Sequence, residues 1–446
     1  MTKRFLQRAR QLGRIPFVRR VATFQASSLV MMGTGLLSSV LYARLLGLEQ
    51  FGLYAVVSSF AGVIGIVAAF GQETTLVTFL SEAIGRRDTR DVTRILRYFF
   101  QSSLLAILVY ALLFFAAPQL SLWLQGDLTI GRLARYLLLN SMLQPAPVLV
   151  FLMLQLRGRV GAVSILENVR VLLQLTLATV LLLLGYGLEG ILIATLTVSA
   201  LYLPVCLHFY RTESKPLGFP SLYRIVTGLF GGETRKFFSQ GLWIAFDRMI
   251  GSNLNPNLFF LVLNATASLE AVGLFRLAYK LSHLPSDLVI PAITRVSAVS
   301  IPLIVGQNRK ALKSSCLKLI KGTLGMIVAA VIGGALFVPP LLPYVYGKEF
   351  AGAIPVFLLL LPYNIFAAMH VVSVPLARIF RRVSALVFFN LFSMIVAIGL
   401  YYPLTASFPA IVAICITVLL FHAISLLLYV YLWRVIKTER SFKTAT

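Results

Sequence analysis

Residues 271–290 read AVGLFRLAYKLSHLPSDLVI. The apolar majority has the composition of a membrane span, yet Arg276, Lys280, His283 and Asp287 interrupt it at i, i+4, i+7 and i+11. At 100° per residue these four side chains fall within a wedge of roughly 60°. An ionised group at the bilayer centre costs about 2.5–3.5 kcal/mol even on the lenient insertion scale. Such a stripe must face protein or a watery cavity, and its cations invite an anion there. In the competing arrangement Arg276 snorkels outward and Asp287 inward, leaving only Lys280 and His283 central.

The surroundings of this segment are equally apolar. The chain has 446 residues, of which 59% are hydrophobic and 12% charged, and its mean hydropathy is +0.88. Apolar segments recur at 21–44, 53–76, 98–119, 133–155, 162–185, 188–210, 237–261, 270–294, 320–341, 351–377, 383–404 and 410–433. Each is close to the ~20 residues that cross a hydrocarbon core of about 30 Å. Without water in that core the backbone must satisfy itself, so the spans are helices. Continuous apolar runs, rather than period-two alternation, exclude a barrel. The expectation is an all-α integral membrane protein with about twelve transmembrane helices.

Charge placement gives an independent check. With a cytoplasmic N-terminus, 32 of the 40 Lys and Arg residues fall on the inside, while outside loops hold only Arg132, Arg135 and Lys348. This is the positive-inside pattern. The net charge of +25 therefore forms a collar against anionic membrane lipids and does not argue for nucleic acid. Residues 1–20 read as a basic cytoplasmic lead-in to a retained first span, not as a removed signal peptide. Cys206, Cys316 and Cys415 offer neither a disulfide framework nor metal spacing.

Shifting the sequence by 221 positions lays Leu48-Glu49-Gln50-Phe51-Gly52-Leu53-Tyr54 over Leu269-Glu270-Ala271-Val272-Gly273-Leu274-Phe275, and Gly85 over Gly306. The heptapeptides open spans 2 and 8. Six spans per half is an even number, so both halves enter from the cytoplasm as parallel repeats, with the working site between them near mid-membrane. The resulting domain plan is a cytoplasmic segment 1–20, an N-lobe 21–211, a cytoplasmic linker 212–236, a C-lobe 237–434 and a cytoplasmic tail 435–446. The two six-helix lobes are expected around a central cavity.

Other polar residues lie inside predicted spans. Asp247 and Arg248 stand about 17 Å into span 7, where Arg248 can serve the cavity with Asp247 balancing it, or join a structural ion pair. Arg44 ends span 1, either at the mouth of a cavity or as an interface anchor. Glu167 and Arg170 share a face of span 5 and can pair with each other. Glu73 and Glu167 suit counterions or coupling-ion sites. Asn140 and Gln144 lie one turn apart on span 4, where Pro145 and Pro147 predict a bend. His370 and His422 show no partner pattern and are assigned to packing. No phosphate loop, zinc-protease, paired-cysteine or nucleophile-elbow motif occurs, and no cofactor or metal is expected.

The stretch Arg44-Leu45-Leu46-Gly47-Leu48-Glu49-Gln50-Phe51-Gly52-Leu53-Tyr54 resembles the first outside turn of bacterial polysaccharide-biosynthesis membrane proteins. These are the lipid-linked oligosaccharide flippases, of O-antigen or capsule type, in the multidrug/oligosaccharidyl-lipid/polysaccharide exporter superfamily. Gly273-Leu274-Phe275-Arg276-Leu277-Ala278-Tyr279-Lys280-Leu281 is similar to the second-half counterpart, and Tyr346-Gly347-Lys348-Glu349-Phe350 to the turn before span 10. Leu48 stands where the family often has Pro, and Phe275 where it often has Tyr. The resemblance implies a V-shaped two-lobed carrier in the bacterial inner membrane, with both termini cytoplasmic. It would not be an enzyme. It would move an undecaprenyl-diphosphate-linked oligosaccharide to the outer leaflet by alternating access. Arg248, Arg276 and Lys280, with Arg44 and Arg170, would hold the diphosphate; Arg suits bidentate phosphate contact and Lys acts as a point charge. Glu73, Asp247, His283 and Asp287 would tune or couple, with protons or sodium as coupling ions, and a polysaccharide polymerase is a candidate partner. The rivals are a cation-coupled multidrug exporter of the same superfamily, whose cavity should be acidic or aromatic, and a membrane-embedded glycosyl- or acyl-transferase, which needs clustered carboxylates or a His at a membrane face.

Overall fold

The structure is a computed structural model. It describes residues 16–68, 72–86, 88–214, 217, 219–220, 225, 255–307, 312–373, 376–377, 383–428 and 430–434. Among these, every regular element is helical. We label the α-helices α1 (Pro16–Gly65), α2 (Gln72–Gly85), α3 (Thr89–Gln125), α4 (Leu128–Leu143), α5 (Pro145–Leu156), α6 (Val160–Leu183) and α7 (Gly187–Glu213). They continue as α8 (Asn255–Asn264), α9 (Leu269–Gln307), α10 (Leu312–Tyr346), α11 (Ala353–Leu360), α12 (Tyr363–His370), α13 (Val383–Thr405) and α14 (Ala410–Ser425). Eight helical stretches among the described residues are long and apolar enough to cross a membrane, or nine if one bent pair is counted as a span.

Helix α1 holds 50 residues, about 75 Å of helix and more than twice a hydrocarbon core. Gly47, at φ 74° and ψ 174°, breaks it. A Cβ is disfavoured at that φ, so a glycine belongs where one span ends and the next begins. The second part stops at Gly65, short of the 53–76 expected for span 2. Tyr110 Oη donates to the Gly65 carbonyl at 3.3 Å, taking one of the oxygens a helix end leaves free. A single 3₁₀ turn follows at Ile66–Ala68.

By packing, the chain forms two compact units: Met1–Gly47 with Ile64–Ala245, and Leu48–Val63 with Phe246–Thr446. Within the first, α3 packs along α4, and α7 lies against α4, α5 and α6. Pro118 sits inside α3, where it cannot donate to the carbonyl four residues back. That carbonyl, Phe114 O, instead accepts from Arg135 Nε of α4 at 2.9 Å, and the guanidinium also lies 5.0 Å from the Phe114 ring centroid. One turn on, Ser121 Oγ accepts from the Gly131 amide at 3.0 Å. A Cβ at Gly131 would fall 2.2 Å from the Ala117 carbonyl oxygen, so only glycine allows this approach. Helix α4 ends at Leu143 and α5 restarts at Pro145, a break in the helix where the two prolines predict a bend.

The basic end of this unit packs around Leu80, Ile95, Leu96, Phe99, Leu149 and Met153. Buried Glu213 closes it, accepting from Arg157 at 2.9 Å and from Arg159. Asp88 caps α3 by accepting from the Arg90 and Asp91 amides at 3.0 and 3.1 Å. The Asp91 amide, ahead of the Arg90 amide and the Arg94 and Arg86 charges, holds this exposed carboxyl below its usual range against a smaller desolvation effect.

In the second unit, residues 48–63 cross α9 at very close range. A Cβ at Gly52 would lie 1.9 Å from the Leu269 carbonyl oxygen, and one at Gly273 would lie 2.6 Å from the Leu48 carbonyl oxygen. Leu269 and Gly273 are the repeat equivalents of Leu48 and Gly52. The two copies of the heptapeptide therefore touch reciprocally, as in a two-fold contact. The segment expected as span 10 is bent by 44° between Lys348–Leu360 and Tyr363–His370. Fully buried Asn364 secures this bend. Its Oδ1 accepts from Ser286 N at 3.1 Å and Ser286 Oγ at 2.6 Å, while its Nδ2 donates to the carbonyls of Ser282 (2.7 Å) and Leu361 (3.0 Å). An amide with every position used is strong helix glue in a membrane.

Leu112, Phe115, Ile332, Phe337 and Ile395 are exposed, as lipid-facing side chains must be. Trp123, Tyr186, Tyr344 and Tyr402 are exposed beside predicted outside turns, the position of interfacial anchors.

Candidate substrate-binding site

The stripe anticipated on residues 271–290 is formed on α9, which runs unbroken from Leu269 to Gln307. Arg276 is half-buried, with its Cζ 4.2 Å from the Tyr54 ring centroid and 5.4 Å from that of Phe51. Both rings belong to the 48–63 segment that the Gly52–Gly273 crossing brings against α9. Phe51 is in turn held edge-on by Phe350 at 5.8 Å. Cation–π contacts are worth about 0.5–1 kcal/mol when exposed and about 2 or more when desolvated. They fix the guanidinium without cancelling its charge. Among the described residues Arg276 has no carboxylate within ion-pair distance.

Lys280, one turn further, is also half-buried, and the Arg276 charge acts on it as a like charge. His283 follows, half-buried, with Nδ1 2.7 Å from the Tyr279 carbonyl oxygen. Its ring is stacked between Tyr279 at 3.9 Å and Tyr363 at 3.8 Å. Asp287 is exposed. The order along the helix is therefore two cations, a neutral-or-charged imidazole in an aromatic slot, then a carboxylate.

In the first unit, Arg170 is half-buried on α6. Its Nη2 donates to Gln144 Oε1 at 3.0 Å and Ser199 Oγ at 3.2 Å, and its Cζ lies 6.0 Å from the Tyr202 ring. Gln144 Nε2 passes the chain on to Asn140 Oδ1 at 3.2 Å. Among the described residues the Glu167–Arg170 pair is not within ion-pair distance. The guanidinium is satisfied by neutral groups on facing helices, and its charge persists. Arg44 and Glu73 are exposed. Asp247 and Arg248 lie outside the described residues.

The sequence assigns no role to Tyr54, Phe51 and Tyr363, and it assigns His422 to packing. Each belongs to a span remote from α9 in the chain, and aromatic residues in a span read as packing.

Residues 17–307 match the family model described as polysaccharide biosynthesis protein. The chain belongs to that family. No curated protein matches it by sequence. Among solved structures it is similar to a multidrug resistance MATE family transporter of the MOP superfamily in an inward-facing conformation, with a TM-score of 0.73 at 14% identity over 93% of this chain and 99% of that one. It also resembles a MOP superfamily transporter from Pyrococcus furiosus, with a TM-score of 0.66 at 16% identity over 96% and 97%. That protein is described as having a binding pocket of reversed polarity that suggests a different function. A eukaryotic MATE transporter, AtDTX14, aligns with a TM-score of 0.62 at 18% identity over 95% of each chain. The fold of this polysaccharide biosynthesis protein is thus the all-helical, multi-pass membrane fold seen in those MOP superfamily structures.

Proposed function

We propose that this protein is a flippase that carries an undecaprenyl-diphosphate-linked oligosaccharide from the cytoplasmic to the outer leaflet by alternating access. One observation carries the reading: a half-buried guanidinium on α9, clamped by two aromatic faces, with no carboxylate on it among the described residues and an ammonium one turn away. A diphosphate is the anion whose geometry suits that pair, because Arg presents a planar fork to phosphate oxygens and Lys adds a point charge. In low dielectric these contacts are much stronger than in water. Arg170, held by neutral partners, Arg44 and Arg248 are further cations for the headgroup. Glu73, Asp247, His283 and Asp287 are candidates for tuning or ion coupling. The protein would reside in the bacterial inner membrane with both termini cytoplasmic, beside a polymerase that uses its product.

The test is surface polysaccharide in cells whose only copy carries Arg276→Ala with Lys280→Ala. We expect polymer to be abolished while the protein remains inserted at normal level; normal polymer from the double variant rejects the assignment. A second reading, cation-coupled multidrug export, draws on the likeness to MATE transporters. The polarity of the stripe opposes it, since Arg276 and Lys280 repel a cationic drug. Resistance to cationic dyes on overexpression would favour that reading instead.

A further inference from the structure

The second unit holds a histidine in a setting unlike simple packing. The His283 imidazole is the middle ring of a stack, 3.9 Å and 29° from Tyr279 on one face and 3.8 Å and 26° from Tyr363 on the other. His422 meets Tyr363 edge-on at 4.5 Å and 65°. The Tyr279 carbonyl, 2.7 Å from His283 Nδ1, can only accept, so Nδ1 carries the hydrogen. In the neutral ring Nε2 is then a bare acceptor. That atom is buried and has no hydrogen-bond partner, and His422 Nε2 is in the same condition. Two unpaired nitrogens around one tyrosine are an unusual cost for a fold to keep, since buried polar atoms are nearly always satisfied.

Protonation changes the balance. An imidazolium spreads its charge between two phenol faces at van der Waals contact, a cation–π arrangement on both sides. Nε2 lacks a hydrogen-bond partner in either state, and what the charged ring gains here is the two phenol faces. On α9 the neighbouring charges are Arg276, Lys280 and Asp287. Tyr363 and His370 face it from α12, His422 from α14, and Tyr54 and Glu49 belong to the 48–63 segment. Helix α8, which brings Phe260 against Tyr279 at 5.8 Å, contributes no titratable group, nor does α11. Helix α10 has titratable groups only toward its ends. His370 Nε2 is 2.8 Å from Ser425 Oγ, which donates to the His422 carbonyl at 2.8 Å. On the expected topology His370 lies about 10 Å nearer the cytoplasm than Tyr363.

We propose that His283, framed by Tyr279 and Tyr363, is the coupling-proton site of this transporter, with His422 and His370 on its cytoplasmic exit. One proton from outer water forms an N–H bond at His283 Nε2. That bond breaks when the proton leaves to the cytoplasmic side, one proton entering for each cargo moved outward, with nothing oxidised or reduced. This rests on the transport reading above.

The experiment has two arms. The first needs no cargo: ¹³C-histidine NMR of the purified full chain, whose 4 histidines give few resonances. The resonance absent from His283→Gln should switch between neutral and protonated over about pH 4 to pH 8; a His283 ring that stays neutral throughout overturns the proposal. The second arm uses proteoliposomes containing an undecaprenyl-diphosphate-linked sugar and an imposed gradient of about one pH unit. One coupled proton shifts the leaflet distribution by about tenfold. His283→Gln and Tyr363→Leu should lose that response, while Tyr363→Phe, which keeps the ring face, should retain it. Flipping by the wild type that ignores the gradient overturns the proton site and leaves the flippase reading intact. No flipping under any condition removes the flippase reading, and the NMR arm then decides the proton site alone.

Discussion

Arg135 shows how a single side chain can serve the backbone of another helix. Proline 118 frees the Phe114 carbonyl, and Arg135 takes it at 2.9 Å. Replacing Arg135 with Ala leaves that oxygen buried and unpaired, which should cost about 1–3 kcal/mol. Arg135→Lys should recover part of it, since the ammonium can donate but cannot lie flat on the Phe114 ring. Equilibrium unfolding in detergent measures both; equal stability of Arg135→Ala and wild type rejects the account. At this scale the sequence was informative about which residues share a face and silent about what they face. Spacing alone placed Arg276, Lys280, His283 and Asp287 on one stripe, and they are there. Spacing also offered Glu167 as the partner of Arg170, because i and i+3 are neighbours. The guanidinium instead reaches Gln144 and Ser199 across helix interfaces, which periodicity within one helix does not encode. The same blindness hid Phe51 and Tyr54 around Arg276.

Among the elements, helix breaks were legible where glycine or proline has a local effect. Gly47 and the pair Pro145–Pro147 interrupt helices as their backbone chemistry requires. The early end of span 2 at Gly65 depends on Tyr110 of α3, and the bend before Tyr363 on the bonds of Asn364 to Ser282 and Ser286 of α9, so they were not. The internal repeat was visible, yet nothing in one dimension says that its two copies lie on each other. That contact gives a sharp expectation. Gly52→Ala places a Cβ 1.9 Å from backbone oxygen, and Gly273→Ala places one at 2.6 Å; neither helix can yield by rotating a side chain. Both variants should lose most of their folded, monodisperse yield in detergent size exclusion, Gly52→Ala more severely. Gly33→Ala and Gly35→Ala, with nothing within 4 Å, should behave as wild type. Normal yield from Gly52→Ala would show the crossing to be looser than described.

For the whole molecule, the asymmetry of basic residues predicts a cytoplasmic N-terminus, which places the exposed Trp123, Tyr186, Tyr344 and Tyr402 at the outer interface. Single cysteines at Asp127, Tyr186, Lys348 and Ser407 should therefore react with an impermeant maleimide in intact cells, and cysteines at Arg86, Arg157 and Arg434 only after lysis. The background lacks Cys206, Cys316 and Cys415, all buried. The opposite labelling pattern would invert the topology and with it the direction of transport.

Residues 48–63 precede almost the entire N-terminal half in the chain, yet they are bodily a piece of the unit that ends at Thr446. Cutting the polypeptide in the 212–236 stretch would not yield two self-sufficient products. The C-terminal product would carry an empty notch along α9, with Leu269, Gly273 and Phe350 bare and Arg276 stripped of its ring clamp. Only the N-terminal product holds the plug that fills it, so the two pieces should be recoverable together and neither alone.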